Sequence, residues 1–243
     1  MKTNANSIII AVAIVLSAYL FSNAFQNRNQ SNDTISVTGL GKKDFTSDLI
    51  VWSGSFSKKS FTLKEAYASL DADRAKIKSY LSSKGIADSE IVFSAVSFNK
   101  DFETTYNENG TLKQQIFTGF TLTQNVTIQS KEVNKIEDIS RQSSELINSG
   151  IEFYSNAPEY YYTKLAELKI QMIAEATKDA NIRAKSIAEN AGAGLGNLKK
   201  SDMGVFQITG QNSSEDFSYG GSFNTFSKNK TANITVKLVY QVN

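Results

Sequence analysis

The first hydrophobic feature of the chain is an uncharged run near its N-terminus. Residues 8–21 read IIIAVAIVLSAYLF, with Lys2 before them and a polar stretch over residues 26–33 after them. Counted on to Phe25, the run has about 18 residues, which is enough to cross ~30 Å of hydrocarbon. The pattern predicts an export signal, cleaved near Ala24, or a retained anchor in the inner membrane. Both alternatives place the rest of the chain outside the cytoplasm.

Beyond this run, alternating apolar and polar residues predict antiparallel strands. Residues 34–39 and 47–57 are expected to be strands, joined by a turn at Gly39-Leu40-Gly41-Lys42-Lys43. A phosphate-binding loop would need this glycine-rich segment to open a helix. The lysines lead instead into the strand-like residues DFTSDLIVW, so we expect a turn.

A long hairpin is predicted further along the chain. Residues 91–106 lead to Asn107-Glu108-Asn109-Gly110, and Asn-Gly favours a tight hairpin turn. At ~3.3 Å per residue each strand reaches roughly 50 Å, so the hairpin is expected to project. One face of the return strand is apolar, with Ile116, Phe120, Leu122, Val126 and Ile128. The segments 199–209 and 232–242 are further predicted strands, and the second alternates strictly.

Three helices are predicted between the strands. The first begins at the capping box Thr62-x-x-Glu65 and ends before Gly85. The second covers residues 131–148. The third begins after Pro158, covers residues 159–191, and carries small residues along one stripe: Ala166, Ile170, Ile173, Thr177, Ala180, Ala184, Ile187 and Ala191. Such a stripe lets another backbone come close, either from the chain's own sheet or from a helix of another subunit.

A loop rich in Gly, Ser and Asn is predicted over residues 210–229. It contains four aromatic residues, and exposed apolar groups tend to mark contacts. We therefore predict an interface at Phe217, Tyr219, Phe223 and Phe226. The elements together predict an α+β fold with a mostly antiparallel sheet, three helices of which one is long, and a projecting hairpin.

Composition excludes several function classes. The net charge is +2, with 26 basic and 24 acidic residues, so nothing indicates nucleic acid as a partner. The chain has neither Cys nor His, which rules out thiol catalysis, His triads and most zinc sites. Ser55-x-x-Lys58 and Ser97-x-x-Lys100 have the spacing of some acyl-transfer enzymes, but both lie in strand-like sequence. We predict no catalytic residue, no cofactor and no metal.

Three stretches resemble the SIMPL-domain family, which includes bacterial periplasmic immunogenic proteins. They are ISVTGLGK at residues 35–42, VTIQSKEVNKIEDISRQSSELINSGIEFYS at 126–155, and ATKDANIRAKSIAENAGAGLGNL at 176–198. The resemblance covers nearly all of residues 34–243. It implies an exported bacterial α+β protein that often self-associates and has no established catalytic residues, so it carries over no active site.

These observations predict a chain in three parts: an export signal or membrane anchor (1–25), a polar tether (26–33) and one SIMPL-like domain (34–243). Two functions stay open. The first is a non-enzymatic, periplasm-facing envelope protein that forms homo-oligomers or scaffolds. The second is a binding module for a small molecule or peptide, with the 210–229 loop as its lid, although no particular ligand is indicated.

Overall fold

The computed structural model describes residues 5–29, 33–216 and 218–243; for the N-terminal segment, side chains are described only over residues 9–25. A helix, α1 (Ala5–Asn29), occupies the predicted export segment. Within these described ranges no helix has the length and hydropathy needed to cross a membrane. The structure therefore contains a helix where the anchor was predicted, without showing that it spans a bilayer.

Ten strands and four further helices follow α1 in the described part of the chain. In order they are β1 (Thr34–Thr46), β2 (Leu49–Ser60), α2 (Leu63–Ser83), β3 (Ile91–Phe93), β4 (Ser97–Tyr106), β5 (Leu112–Ser130), α3 (Val133–Gln142), α4 (Ser144–Asn148), β6 (Phe153–Ser155), β7 (Glu159–Tyr161), α5 (Leu165–Asn190), β8 (Leu195–Met203), β9 (Gln207–Gly210) and β10 (Asn229–Val242).

The strands form two sheets rather than the one expected. Sheet A has the order β1-β10-β8, and β9 also pairs with β10. Sheet B has the order β3-β5-β2-β6, with β4 added to β5 and β7 added to β2. The strand pairs of both sheets are antiparallel, which confirms the predicted α+β class. The chain passes from sheet A to sheet B at Ser47 and Asp48, between β1 and β2.

Each sheet has its own hydrophobic core. Helices α2, α3 and α4 cover sheet B, and the buried side chains there include those of Trp52, Phe56, Leu70, Ile77, Leu81, Ile128 and Ile136. Helix α5 covers sheet A, where the alternating residues of β10 face it as predicted: Ile234, Val236, Leu238 and Tyr240. One face of each sheet is thus buried under helices.

The predicted turn at residues 39–43 is wrong, because β1 continues straight through it. The glycines serve a close contact instead of a turn. A Cβ atom on Gly39 would overlap the backbone carbonyl oxygen of Ala176 and would lie 2.8 Å from Cβ of Ala180. Gly41 lies in the same way against the backbone of Met172. Glycine is therefore required where β1 crosses beneath α5.

The stripe predicted for α5 agrees only in part with the residues that are buried. The buried positions recur every four residues: Leu168, Met172, Ala176, Ala180, Ala184 and Ala188. Only Ala180 and Ala184 belong to the predicted stripe, and the predicted members Ile170 and Ile187 are exposed. The ridge of residues four apart is the one that packs on the sheet. The backbone that packs closely against these small residues is that of β1, in the chain's own sheet.

Two predicted helix boundaries are also wrong. Pro158 does not open a helix, because residues 159–161 form β7 and pair with residues 49–51 of β2, and α5 begins only at Leu165. The predicted helix over residues 131–148 is divided at Ser143 into α3 and α4. The Ser143 hydroxyl donates to the carbonyl oxygen of Ser140 (2.7 Å) at this break.

The predicted N-cap of α2, the glycine after its end and the hairpin turn are confirmed. Thr62 Oγ1 accepts from the N–H of Glu65 (3.3 Å), and Gly85 has a φ of +78° just beyond α2. Gly110 has a φ of +74° in the hairpin turn. The hairpin projects, because residues 112–119 of β5 pair with β4 alone and pairing with β2 begins at Phe120.

Two predicted strands are each divided. The strand at 91–106 is split into β3 and β4, since the side chain of Gln124 donates to the carbonyl oxygen of Ser94 (2.7 Å) between them. The strand at 199–209 is split into β8 and β9, and the N–H of Gly204 there donates to the carbonyl oxygen of Thr235 (2.8 Å). In both cases the strand leaves the ladder of its partner and rejoins it a few residues later, within a segment whose sequence is continuous in pattern.

Candidate functional site

The predicted interface residues lie in the segment 211–228, which connects β9 to β10 and is called here the aromatic loop. Phe217 lies outside the described residues. Tyr219 is fully exposed, Phe226 is 73% exposed and Phe223 is 50% exposed. None of these three described rings is buried against the chain's own sheets. The loop therefore presents aromatic surface to the solvent.

The side chain of Gln207, in β9, holds the middle of the aromatic loop. Its Nε2 donates to the carbonyl oxygen of Ser218 (2.7 Å), and its Oε1 accepts from the N–H groups of Ser222 (2.7 Å) and Ser218 (3.3 Å). Because Gln207 is itself buried, these bonds are shielded from competing water. The loop backbone is thus fixed to the sheet while its rings point outward.

A polar cluster around the buried Lys230 and Asn224 holds the rest of the loop. Lys230 in β10 is 1% exposed, and its Nζ donates to the carbonyl oxygen of Asn224 (2.6 Å). Glu215 accepts from the N–H of Gly210 (3.0 Å) and from the side-chain amide of Asn224. Burial lowers the pKa of Lys230 from its ordinary value of 10.5 to about 8, although Glu215 acts in the opposite direction.

No sequence pattern predicted this cluster. Lys230 is in phase with the inward-facing residues of β10, whereas the exposed Lys237 is out of phase with them. Because Lys230 lies just before the predicted strand at 232–242, its burial was not predicted. Glu215 lies in the segment predicted to be a polar loop, where the pattern assigns it no partner. The partners of both residues come from chain segments that only the fold brings together.

A cavity lies between the aromatic loop and the outer face of sheet A, which is the face turned away from α5. Its volume is about 420 Å³, within the usual range for small-ligand sites. Leu40, Val205 and Tyr219 form apolar walls, and Asn233 and Thr235 contribute polar side chains. Across the described part of the chain, no hydrogen bond engages the side-chain amide of Asn233. The cavity therefore offers apolar contact together with an unused donor and acceptor.

A second aromatic surface lies on the projecting hairpin, and the sequence analysis missed it. Phe102 and Phe117 face each other across β4 and β5, with ring centroids 5.7 Å apart. Phe117 also contacts Phe120 (5.1 Å) and Phe61 (6.5 Å). All but Phe120 of these rings are exposed. The cross-strand register, which only the bulged pairing of β4 and β5 fixes, is what gathers these rings on one face.

The two serine-lysine pairs lie in strands β2 and β4. Ser55 and Lys58 lie in β2, where the Nζ of Lys58 is 2.9 Å from Oδ2 of Asp73. Ser97 lies in β4 and donates to the carbonyl oxygen of Thr123 (3.3 Å). Both serines are thus in strands, whereas that chemistry places the serine at the start of a helix.

Residues 35–240 match the family SIMPL, which is described as a protein of unknown function (DUF541). The chain belongs to the SIMPL family. A search of curated proteins found no match. The SIMPL match includes both sheets and α5, so the aromatic loop, its cavity and the aromatic hairpin are all within the SIMPL domain. The family description itself assigns no activity, ligand or site residue to the SIMPL domain.

Proposed function

We propose that this SIMPL protein is a non-enzymatic, exported protein of the bacterial cell envelope that self-associates. The observation that carries the proposal is the exposure of Tyr219, Phe223 and Phe226 on a loop whose backbone is hydrogen-bonded to sheet A. Burying apolar surface is favourable by roughly 25 cal/mol per Å², and a loop whose backbone is already held in place loses less entropy on contact.

The aromatic hairpin supports the same proposal. It places a second group of exposed rings, including Phe61, Phe102 and Phe117, on an extension that only two strands form. A monomer gains little from a projecting ribbon of this kind, because the isolated part of a two-stranded hairpin is marginally stable in water. Contact with another copy would bury these rings and support the ribbon.

Light scattering on the detergent-solubilised full chain tests self-association. We expect a protein mass above the 26.7 kDa of one chain, and a decrease when Phe217, Tyr219, Phe223 and Phe226 are all changed to Ser. A matched control changes exposed apolar residues elsewhere, Tyr67, Tyr154 and Ile170, to Ser. The control should keep the parent mass. Circular dichroism should show that both variants remain folded.

Two results would count against this proposal. A parent that stays monomeric at high concentration would refute self-association, since mass action favours assembly as the concentration rises. A loop variant that keeps the parent mass would leave self-association standing and remove the aromatic loop from the interface.

Export is proposed from the uncharged run at residues 8–25 and the polar tether after it. Protease added to spheroplasts should digest the SIMPL domain, and a protected domain would contradict export. N-terminal sequencing of the mature protein separates the two forms of the proposal. A sequence beginning near Phe25 shows a cleaved signal, and an intact N-terminus shows a retained anchor in the inner membrane.

The cavity under the aromatic loop favours a second function, the binding of a small molecule. Its apolar walls and the free amide of Asn233 suit an apolar ligand that carries one hydrogen-bonding group. Ligand-observed NMR with a panel of small aromatic amides should give binding that is lost in Asn233→Leu and kept in Asn197→Leu, an exposed asparagine in β8. Equal signals from both variants would exclude this cavity as the site.

A further inference from the structure

Sheet A ends in two open strand edges. In the described chain, β1 and β8 each pair with β10 alone. The N–H of Leu40 donates to Oδ2 of Asp179 (2.9 Å), away from β10, so the alternate residues Ser36 and Thr38 also direct their backbone groups outward. The N–H of Gly204 donates toward β10, to Thr235 (2.8 Å). Successive residues of a strand direct their backbone groups to opposite sides, so the N–H and C=O groups of Ser201 and Met203 point toward the open side of β8.

Helix α5 covers this sheet unevenly. It lies against β1, where Gly39 and Gly41 meet its backbone, and against β10, where the side chain of Asn181 donates to the hydroxyl of Tyr240 (2.9 Å). Leu195, at the start of β8, packs against this core, but the rest of the same face of β8 is exposed. Leu198, opposite Tyr240, is 51% exposed, and Met203, opposite Val236, is 62% exposed.

At the opposite edge α5 extends past β1. A groove there is formed by Ser36 and Thr38 of β1 together with Ile182, Arg183 and Ile187 of α5. Both isoleucines are exposed. One side of the sheet thus has a strand without a covering helix, and the other side has a helix with apolar residues that cover no strand.

Charged residues lie on both sides of the sheet. Glu175 and Asp179 lie along the β1 side of α5, and Asp179 is paired with Arg183. Lys199 and Lys200 lie in β8, and Lys200 is paired with Asp202. Among the described residues Glu175 and Lys199 have no ion-pair partner, so both are available for an ion pair between copies. Lys42 and Lys43 of β1 add positive charge to the side on which Glu175 lies.

We infer that the β8 edge of one copy pairs with the β1 edge of a second copy, whose α5 then covers Leu198 and Met203. The inference rests on the proposed self-association and names surfaces for it. Both strands are antiparallel to β10, so in a continuous sheet they pair in parallel. Ser201 and Val37 both lie opposite Leu238. With no shift between copies, Ser201 falls between Ser36 and Thr38, as the hydrogen bonds of a parallel pair require.

This contact joins two different surfaces, so it leaves a free edge of each kind on every pair. It therefore repeats and builds assemblies larger than dimers. A symmetric contact of β1 with β1, or of β8 with β8, would stop at two copies. The two possibilities are separable by cysteines placed at the edges, because the chain contains no cysteine of its own.

The test uses Thr38→Cys and Asp202→Cys in the full chain in mild detergent. Both residues lie opposite Lys237, one on each side, and both are exposed. Within one copy they are two strand spacings apart, roughly 9–10 Å, which is too far for a disulfide. Between copies in the inferred register they are adjacent. Oxidation of the double variant should give a ladder of disulfide-linked multimers, and each single variant should stay uncrosslinked.

Thr38→Cys combined with Ser89→Cys, an exposed residue beyond sheet A, is the matched control and should give no ladder. Thr38→Pro adds a second measurement, because it removes one outward N–H from an edge strand while Thr38→Ser keeps it. Light scattering should show loss of the large assembly in Thr38→Pro and none in Thr38→Ser.

The outcomes separate this inference from the proposed function. A multimeric parent without the ladder, and with Thr38→Pro unchanged in mass, overturns the edge pairing and leaves self-association standing. Dimers of the single cysteine variants overturn it in favour of a symmetric contact. A monomeric parent refutes both.

Discussion

Gly39→Ala tests the contact on which sheet A depends. A methyl group at this position would overlap the backbone carbonyl oxygen of Ala176 and the backbone N–H of Ala180, and it would lie 2.8 Å from Cβ of Ala180. Carbon atoms in favourable contact are about 3.5–4.0 Å apart. Helix α5 and β1 must therefore separate by roughly 1 Å along their line of closest packing.

Two effects of opposite sign decide the magnitude. Replacing Gly by Ala reduces the entropy of the unfolded chain and stabilises by about 0.4–1 kcal/mol where the site accepts the side chain. Overpacking costs about 1–3 kcal/mol, and more when the neighbours cannot move. The neighbours here are helix backbone, so we expect a net loss of about 3 kcal/mol, or roughly 6–12 °C in Tm for a chain of this size.

Urea denaturation followed by circular dichroism measures the loss. The control is Gly194→Ala, because the nearest atoms to an added methyl group there are 3.6 Å away, and the change should be within about 1 kcal/mol. Fluorescence of Trp52, the only tryptophan, follows unfolding of the core of sheet B separately, because that residue lies away from the substituted contact in sheet A. Stability of Gly39→Ala equal to that of the parent would show that β1 does not lie against the backbone of α5.

Three further substitutions test separate features. Ala180→Leu should cost about 1–3 kcal/mol by overpacking, and Thr177→Leu, on the exposed side of α5, should cost little; equal melting temperatures would show that Ala180 is not buried. Thr62→Ala removes the cap on the Glu65 N–H and should lower the free energy of unfolding by about 1 kcal/mol, measured by urea denaturation. Lys230 has a folded pKa of about 8 against its ordinary 10.5, so the unfolded chain binds more protons between these pH values. The parent should therefore gain up to about 3 kcal/mol relative to Lys230→Met as the pH rises from 8 to 10.5, and parallel pH profiles would contradict this.

Local signals in the sequence predicted local structure well. The cap at Thr62, the turn at Gly110 and the alternation of β10 depend on neighbouring residues alone, and the structure has all three. The family was also recognised from the sequence, since the order of three stretches is a property of the chain and not of its packing. The exposure of the three described loop aromatics also has a local cause, because a polar, glycine-rich segment has little apolar surface to fold around.

Tertiary structure decided what depends on distant partners. Local sequence predicts a turn at Gly39, but the glycine is needed because α5 packs directly on it. Local sequence likewise predicts helix at residues 159–161, but they form a strand because they pair with β2. The burial of Lys230 and the gathering of Phe102 and Phe117 likewise need partners from other strands or the loop. The sequence by itself thus determined the α+β class, the cap of α2, the hairpin turn and the family. The division into two sheets and the placing of open edges beside an uncovered strand were decided by long-range pairing, which no local pattern encodes.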